Sequence, residues 1–225
     1  MRKRTIKSFV LRAGRTSNRQ QLGLNEFLSN YELKLEDGPW NFEHIFGRNA
    51  DTVVEIGFGM GASLVEMAKN NPQTNFIGIE VHRPGVGSLV ADIHELALDN
   101  VRVVIGDAVD IFTNNISESN LAGVHIFFPD PWPKKKHHKR RLVQPDFVSL
   151  IAKKMKAGGY LHCATDWEDY AQHMLTVLNS STLIVNKDDN GGYYPRPESR
   201  PVTKFEKRGI RLGHGVWDLL FTRNA

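Results

Sequence analysis

Five short apolar runs, rich in β-branched residues, punctuate the chain between residues 52 and 166, and each stops at a glycine or an acid. They read TVVEIGFG (52–59), NFIGIEVH (75–82), VRVVIGDA (101–108), AGVHIFFPD (122–130) and YLHCATD (160–166). Between them lie segments with helical spacing: ASLVEMAKNNP (62–72), SLVADIHELALD (88–99), a short one after the third run, DFVSLIAKKMKAGG (146–159) stopped by Gly-Gly, and DYAQHMLTVLN (169–179). Apolar runs without strict alternation are strands buried on both faces. Strands that alternate with helices build a parallel sheet covered on both sides. After residue 180 the pattern changes: STLIVNK and GVWDLLFTR (215–223) read as two final strands joined by a long Gly/Pro/Tyr-rich loop. Residues 20–50 read as a lead-in with a short helix near Phe42–Phe46. No internal repeat is evident, and 225 residues make one α/β domain. Residues 1–50 are expected to form a basic, mobile arm and lead-in, with the working domain at 51–225.

Composition excludes several classes. No stretch approaches the roughly 20 consecutive apolar residues of a membrane span. The start, MRKRTIKSFVLRAGRTSNR, is positive but has no apolar centre, so it does not read as a secretory signal. Cys163 is the only cysteine, which rules out an internal disulfide and a cage of several thiolates. A cytoplasmic protein with no membrane partner and no metal is the expectation. The formal charge is only +4, but residues 1–19 and 134–141 hold 13 of the 29 Lys/Arg and no acid. The rest of the chain carries 16 basic against 25 acidic residues. Positive charge is therefore gathered where it can meet phosphates, on an otherwise acidic body.

EIGFGMGA (55–62) sets Gly57, Gly59 and Gly61 where the first strand turns into a helix. Glycine there permits a sharp turn and a close ligand approach. The spacing Gly57-x-Gly59-x-x-Ala62 also fits a dinucleotide fingerprint. Acids separate the two readings. Glu55 precedes the first glycine, Glu80 ends the second strand, and Asp107 ends the third. Such a crevice suits a pyrophosphate poorly, since that group wants positive potential. It suits a ligand with a cationic end, a ribose and an adenine, as in S-adenosylmethionine.

The fourth run leads into FFPDPWPKKKHHKRR (127–141). Asp130 lies between two prolines that stiffen the turn and pre-aim both the carboxylate and Trp132. The following six Lys/Arg and two histidines are read as a phosphate-binding lip whose grip falls with salt. His137-His138, beside cations and without nearby acids, makes a poor divalent-metal site.

At this point a resemblance becomes specific. EIGFGMG, GIEVH, GDA, FFPDPWPKKKHHKRR, ATDW and RPVTKFEKRG together resemble the bacterial single-chain tRNA (guanine-N7-)-methyltransferase family, from about Thr52 onward. The resemblance implies an α/β, Rossmann-like class I methyltransferase fold, with a seven-stranded, mostly parallel sheet whose last strand is antiparallel. It implies S-adenosylmethionine as methyl donor and tRNA as partner, with guanosine at conventional position 46 of the variable loop as acceptor. By motif, Glu55, Glu80, Asp107 and Asp130 contact the cofactor. Lys134, Asp166, Thr203, Lys204, Phe205 and Glu206 contact the substrate. Lys136, His137, His138, Lys139, Arg140 and Arg141 touch RNA.

Guanine N7 has a lone pair and no proton, so the attacking atom needs no general base. The expected catalytic residue is Asp130, which with Asp166 supplies negative potential to a purine becoming cationic. Trp132, Tyr193 and Tyr194 are candidate stacking surfaces. Glu206 has a plainer alternative as a surface ion pair with Lys207 or Arg208. Cys163 is read as a small buried hydrophobe, and a monomer is favoured. Three rival functions stay open: methylation of an exocyclic base nitrogen, RNA binding without catalysis, and NAD-dependent oxidoreduction.

Overall fold

Every residue of β1 (Thr52–Ile56) is buried, as a strand with neighbours and helices on both sides requires. The computed structural model describes residues 6–10, 15–203, 206 and 215–224. Chain order continues through α1 (Asn18–Leu22) and α2 (Phe42–Phe46) before β1, then α3 (Ala62–Asn70), β2 (Asn75–Glu80), α4 (Arg83–Glu95) and β3 (Val101–Ile105). It proceeds through α5 (Ala108–Asn114), β4 (Leu121–Phe127), α6 (Pro145–Lys154), β5 (Met155–Thr165), α7 (Glu168–Asn179), β6 (Ile184–Asn186) and β7 (Trp217–Arg223).

Among the described residues these strands form one seven-stranded sheet in the order β3-β2-β1-β4-β5-β7-β6. Pairings among β1 to β5 are parallel, and β7 runs antiparallel to both β5 and β6. The chain winds outward from β1 to β3, then returns to lay β4 on the other side of β1. That reversal opens a crevice at the carboxyl ends of β1 and β4, where open α/β sheets bind ligands. One core gathers Val54, Ile56, Phe112, Phe147, Tyr170 and Met174; a second gathers Val53, Leu64, Met67, Val86 and Leu89. Alternate β1 residues enter different cores because successive strand side chains point to opposite faces. No helix among the described residues is long and apolar enough to cross a membrane.

Two helix boundaries differ from the sequence reading in an informative way. Helix α4 begins at Arg83, within a Pro-Gly-x-Gly stretch that reads as loop. Pro84 is tolerated in a first turn, and a Cβ on Gly85 would lie 2.0 Å from the Gly59 carbonyl oxygen. Helix α6 ends at Lys154, and Gly158-Gly159 fall inside β5, where the register against β4 shifts between Leu121 and Gly123. The lead-in packs into the same core as the sheet: Trp40 and Phe42 are buried, and Glu32 makes a parallel bridge to Val103.

Candidate active site

The glycine turn leaves β1 with positive φ at Gly57 (75°), Gly59 (61°) and Gly61 (86°). A Cβ on Gly57 or Gly59 would meet nothing within 4 Å, so these two open the backbone toward free space. Gly61 has another job, because a Cβ there would lie 2.7 Å from Leu89 Cβ. The turn is held from the next strand: Glu80 accepts hydrogen bonds from the backbone N–H of Gly59 (2.9 Å), Val81 (2.7 Å) and His82 (3.0 Å).

Glu55 is 2% exposed. Its Oε1 accepts from the Ser63 hydroxyl at 2.9 Å, while Oε2 is buried with no partner. Burial pushes the carboxyl up to about 7; the Ser63 bond opposes that rise and the Glu80 charge adds to it. A buried half-satisfied carboxylate beside an open glycine turn is a fitting receptor for a cationic group. Asp107 caps α5 through the Val109 N–H (3.1 Å) and takes Lys7 Nζ at 2.8 Å. Glu55, Glu80 and Asp107 therefore stand at the carboxyl ends of β1, β2 and β3.

Asp130 is exposed just past β4, and Asp166 is half-buried just past β5. The Asp130 loop is held in a sparsely populated backbone shape, with Phe128 at φ 50° and Trp132 at φ 48°. The Trp132 indole N–H donates to the Ser8 carbonyl (3.1 Å), and the Arg140 guanidinium lies 3.9 Å from the ring centroid. Arg140 also donates to the carbonyls of Lys7 and Phe9, both at 3.1 Å. Residues 7–9 thus lie along the lip. One face of Trp132 is covered by Arg140 and His137 meets it edge-on at 5.9 Å, so stacking on that face is closed. Tyr193 packs against the core and tilts on Trp217, and the Tyr194 backbone bridges Asp218.

Lys134, Lys136 and Lys139 are exposed, and His137 and His138 are half-buried. Residual desolvation, then Lys136, Lys134, Arg140 and Lys139, hold the His137 imidazole below its ordinary value. Arg141 requires a correction. It is 1% exposed, donates to the Pro131 carbonyl at 3.0 Å, pairs with Asp169 and lies over the Tyr170 ring at 4.8 Å. It fastens the lip to α7, and its guanidinium is turned away from solvent RNA.

On the substrate side, Thr203 is half-buried, and Lys204 and Phe205 lie outside the described residues. Glu206 is also relocated. It is 3% exposed, with Oε2 and Oε1 accepting from Arg200 at 2.7 and 2.8 Å; Lys207 and Arg208, the alternative partners, lie outside the described residues. Thr203 Oγ1 accepts from the Glu206 N–H at 3.1 Å and the Thr203 N–H reaches Glu206 Oε2 at 3.4 Å, a reciprocal capping box. Arg200 donates in turn to Asp218 Oδ1 (2.6 Å) and Oδ2 (2.9 Å), and His162 Nε2 donates to Asp218 Oδ1 at 2.7 Å. Against burial, which raises it, the His162 and Arg200 bonds hold the Asp218 carboxyl below its ordinary range. The Thr203-x-x-Glu206 spacing is a visible capping signal; nothing local marks Arg200 as the partner of Glu206 and Asp218, Lys7 as that of Asp107, or Ser63 as that of Glu55.

A family model described as "Putative methyltransferase" matches residues 49–219. A protein of Legionella pneumophila strain Philadelphia 1, named tRNA (guanine-N(7)-)-methyltransferase, is 62% identical over 99% of this chain and 100% of its own length. Relatives of the same name in Shewanella amazonensis and Yersinia enterocolitica are 54% and 53% identical, each over 98% of this chain and 92% of their own. Among solved structures, the 16S rRNA methyltransferase KamB superposes with a TM-score of 0.58 at 15% identity, over 82% of this chain and 93% of its own. The aminoglycoside resistance methyltransferase NpmB1 gives 0.54 at 16%, over 85% and 94%; at such identities the likeness speaks for the fold alone. With an acid-lined crevice, a glycine turn and sequence identity running the length of both chains, the protein belongs to the tRNA (guanine-N(7)-)-methyltransferase family.

Proposed function

We propose that this protein methylates N7 of a guanosine in tRNA, at position 46 of the variable loop, with S-adenosylmethionine as donor. The supporting observation is a juxtaposition at the sheet's switch point. Glu55 lies on β1 and the open turn at Gly57 and Gly59 follows it directly, while Asp130 with its basic lip lies just past the neighbouring β4. The donor supplies, when bound, a methyl group on a sulfonium. Glu55, Glu80, Asp107 and Asp130 are the residues that would hold it, with Gly57 and Gly59 leaving room for it to approach the main chain.

What the chain's own residues do follows from the acceptor. N7 attacks through an in-plane lone pair, so no side chain need remove a proton there. The purine gains positive charge as the new N–C bond forms, and Asp130 and Asp166 at adjacent strand ends offer it negative potential. N7 is hidden in the deep major groove of an RNA helix, so the target must be a loop base or leave its stack. The exposed Lys134, Lys136 and Lys139 bind the flanking phosphates. In this reading residues 51–225 perform transfer and residues 1–50 serve as arm and lead-in. The chain works as a monomer in the cytoplasm without a metal.

The test is transfer of labelled methyl to unmodified tRNA, with the modified nucleotide identified by mass spectrometry. The expected product is 7-methylguanosine, and Asp130→Asn should lower kcat on the order of 100-fold. Label on an exocyclic nitrogen, or consumption of donor without tRNA methylation, would refute the reading.

A further inference from the structure

Arg200 is 1% exposed and is held by two carboxylates at once. Its Nε and Nη2 form a fork on Asp218 (2.6 and 2.9 Å), and its Nη1 and Nη2 form another on Glu206 (2.7 and 2.8 Å). A buried cation with this much pairing is a poor device for stability alone, because apolar residues of similar volume often serve as well. What such a group does supply is fixed geometry, and a planar guanidinium can bridge two carboxylates in a way that an ammonium cannot.

The elements it joins are those that carry the reaction. Asp218 lies on β7 opposite Ala164 of β5, two residues before Asp166. His162, also on β5, donates to the same carboxylate and meets the Phe127 ring edge-on at 5.0 Å. The guanidinium carbon is 6.0 Å from the Phe127 ring centroid and 5.6 Å from that of Phe128, the residues that lead into Pro129-Asp130. Phe128 has φ 50°, a conformation that persists only where the surroundings over-determine it. Glu206 completes the set, tied to Thr203 by reciprocal bonds.

We propose that Arg200 is a positioning residue for methyl transfer: it clamps Glu206, and through it Thr203, to β7 and braces the approach to Asp130, so that the acceptor side of the cleft is held in one arrangement. The inference rests on the reading that tRNA is the acceptor. Arg200 touches no reacting atom; it acts through Glu206, Asp218 and the two phenylalanines.

The experiment compares wild type with Arg200→Lys, Glu206→Gln and the double variant. It measures kcat and KM for tRNA, calorimetric affinity for S-adenosylmethionine, and thermal midpoint. Arg200→Lys keeps the charge and loses the double fork, so kcat should fall roughly 10- to 100-fold while donor affinity stays within about 2-fold. The two changes cut one clamp, so the double variant should be no worse than about 3-fold beyond Arg200→Lys. Wild-type kcat in Arg200→Lys, donor affinity falling in step with kcat, or fully multiplicative losses would each overturn the proposal. If Arg200→Lys does not fold, Glu206→Gln alone decides: it must lower kcat with donor affinity retained, and an unchanged kcat overturns the clamp. A wild-type enzyme that fails to methylate tRNA sinks the functional reading instead, which keeps the two failures distinct.

Discussion

Glu55 offers a quantitative test of the donor pocket. Burial raises its carboxyl from the ordinary 4.5 to about 7, with one oxygen lacking a partner. The folded state therefore binds this proton more tightly than the unfolded state does. Stability carried by the neutral form is fully present below the unfolded value. It is lost as pH rises toward 7, then levels off. At 1.36 kcal/mol per pKa unit, the loss across this window is about 3 kcal/mol. Glu55→Gln cannot titrate, and its amide oxygen can still accept from Ser63. All other groups titrate alike in the two proteins. The difference in unfolding free energy, from urea denaturation between pH 5 and 8, should thus change by about 2.5 kcal/mol in favour of the variant as pH rises, the rest of the loss lying below pH 5. A cation seated against Glu55 restores its charge. Donor binding at pH 6 should then release a proton, visible as a dependence of the calorimetric enthalpy on buffer ionisation heat, and Glu55→Gln should abolish that release. A stability difference that is flat from pH 5 to 8 would refute the assignment of Glu55 as a buried acid kept neutral until a cation arrives.

Arg141 and Lys136 should separate cleanly. Arg141→Met lowers unfolding free energy by about 2 kcal/mol through the lost bonds to Pro131 and Asp169, with the salt dependence of tRNA binding unchanged. Lys136→Ala leaves the thermal midpoint alone but reduces the slope of log K against log salt by about one, as a filter-binding series would show. Gly59→Ala should fold, since no protein atom lies near the added Cβ. The positive φ costs it roughly 1–2 kcal/mol, and donor affinity measured by calorimetry should fall at least about 10-fold.

Strands β1 to β4 were legible because each is a mostly apolar run, rich in β-branched residues, that leads into a glycine or an acid. The same stops placed Glu55, Glu80, Asp107, Asp130 and Asp166 along one edge of the sheet. What escaped local reading has its cause elsewhere in the chain. The first turn of α4 looks like a loop until the Gly59 carbonyl is found against Gly85. Arg141 is indistinguishable from Arg140 in a run of charge, and its burial is dictated by Asp169 and Tyr170 on α7. Lys7 meets Asp107 across 100 residues of sequence, and Arg200 meets Asp218 across 18. No spacing rule reaches so far. The helical reading through Gly158-Gly159 failed for a different reason: a glycine pair marks a backbone irregularity, and a shifted strand register uses one as readily as a helix end does.

The place of β7 carries a consequence for how the molecule comes into being. It is the seventh strand made but lies inside the sheet, between β5 and β6. During vectorial synthesis β5 therefore presents a bare ribbon of amides and carbonyls until residues 217–223 arrive, and β6 has no sheet to join. A nascent chain stopped after α7 already contains the acids at the ends of the first five strands. It would nonetheless be inert and sticky, because the edge it exposes is a template for other chains. Competence arrives late and all at once, when Trp217 to Arg223 slide into the gap.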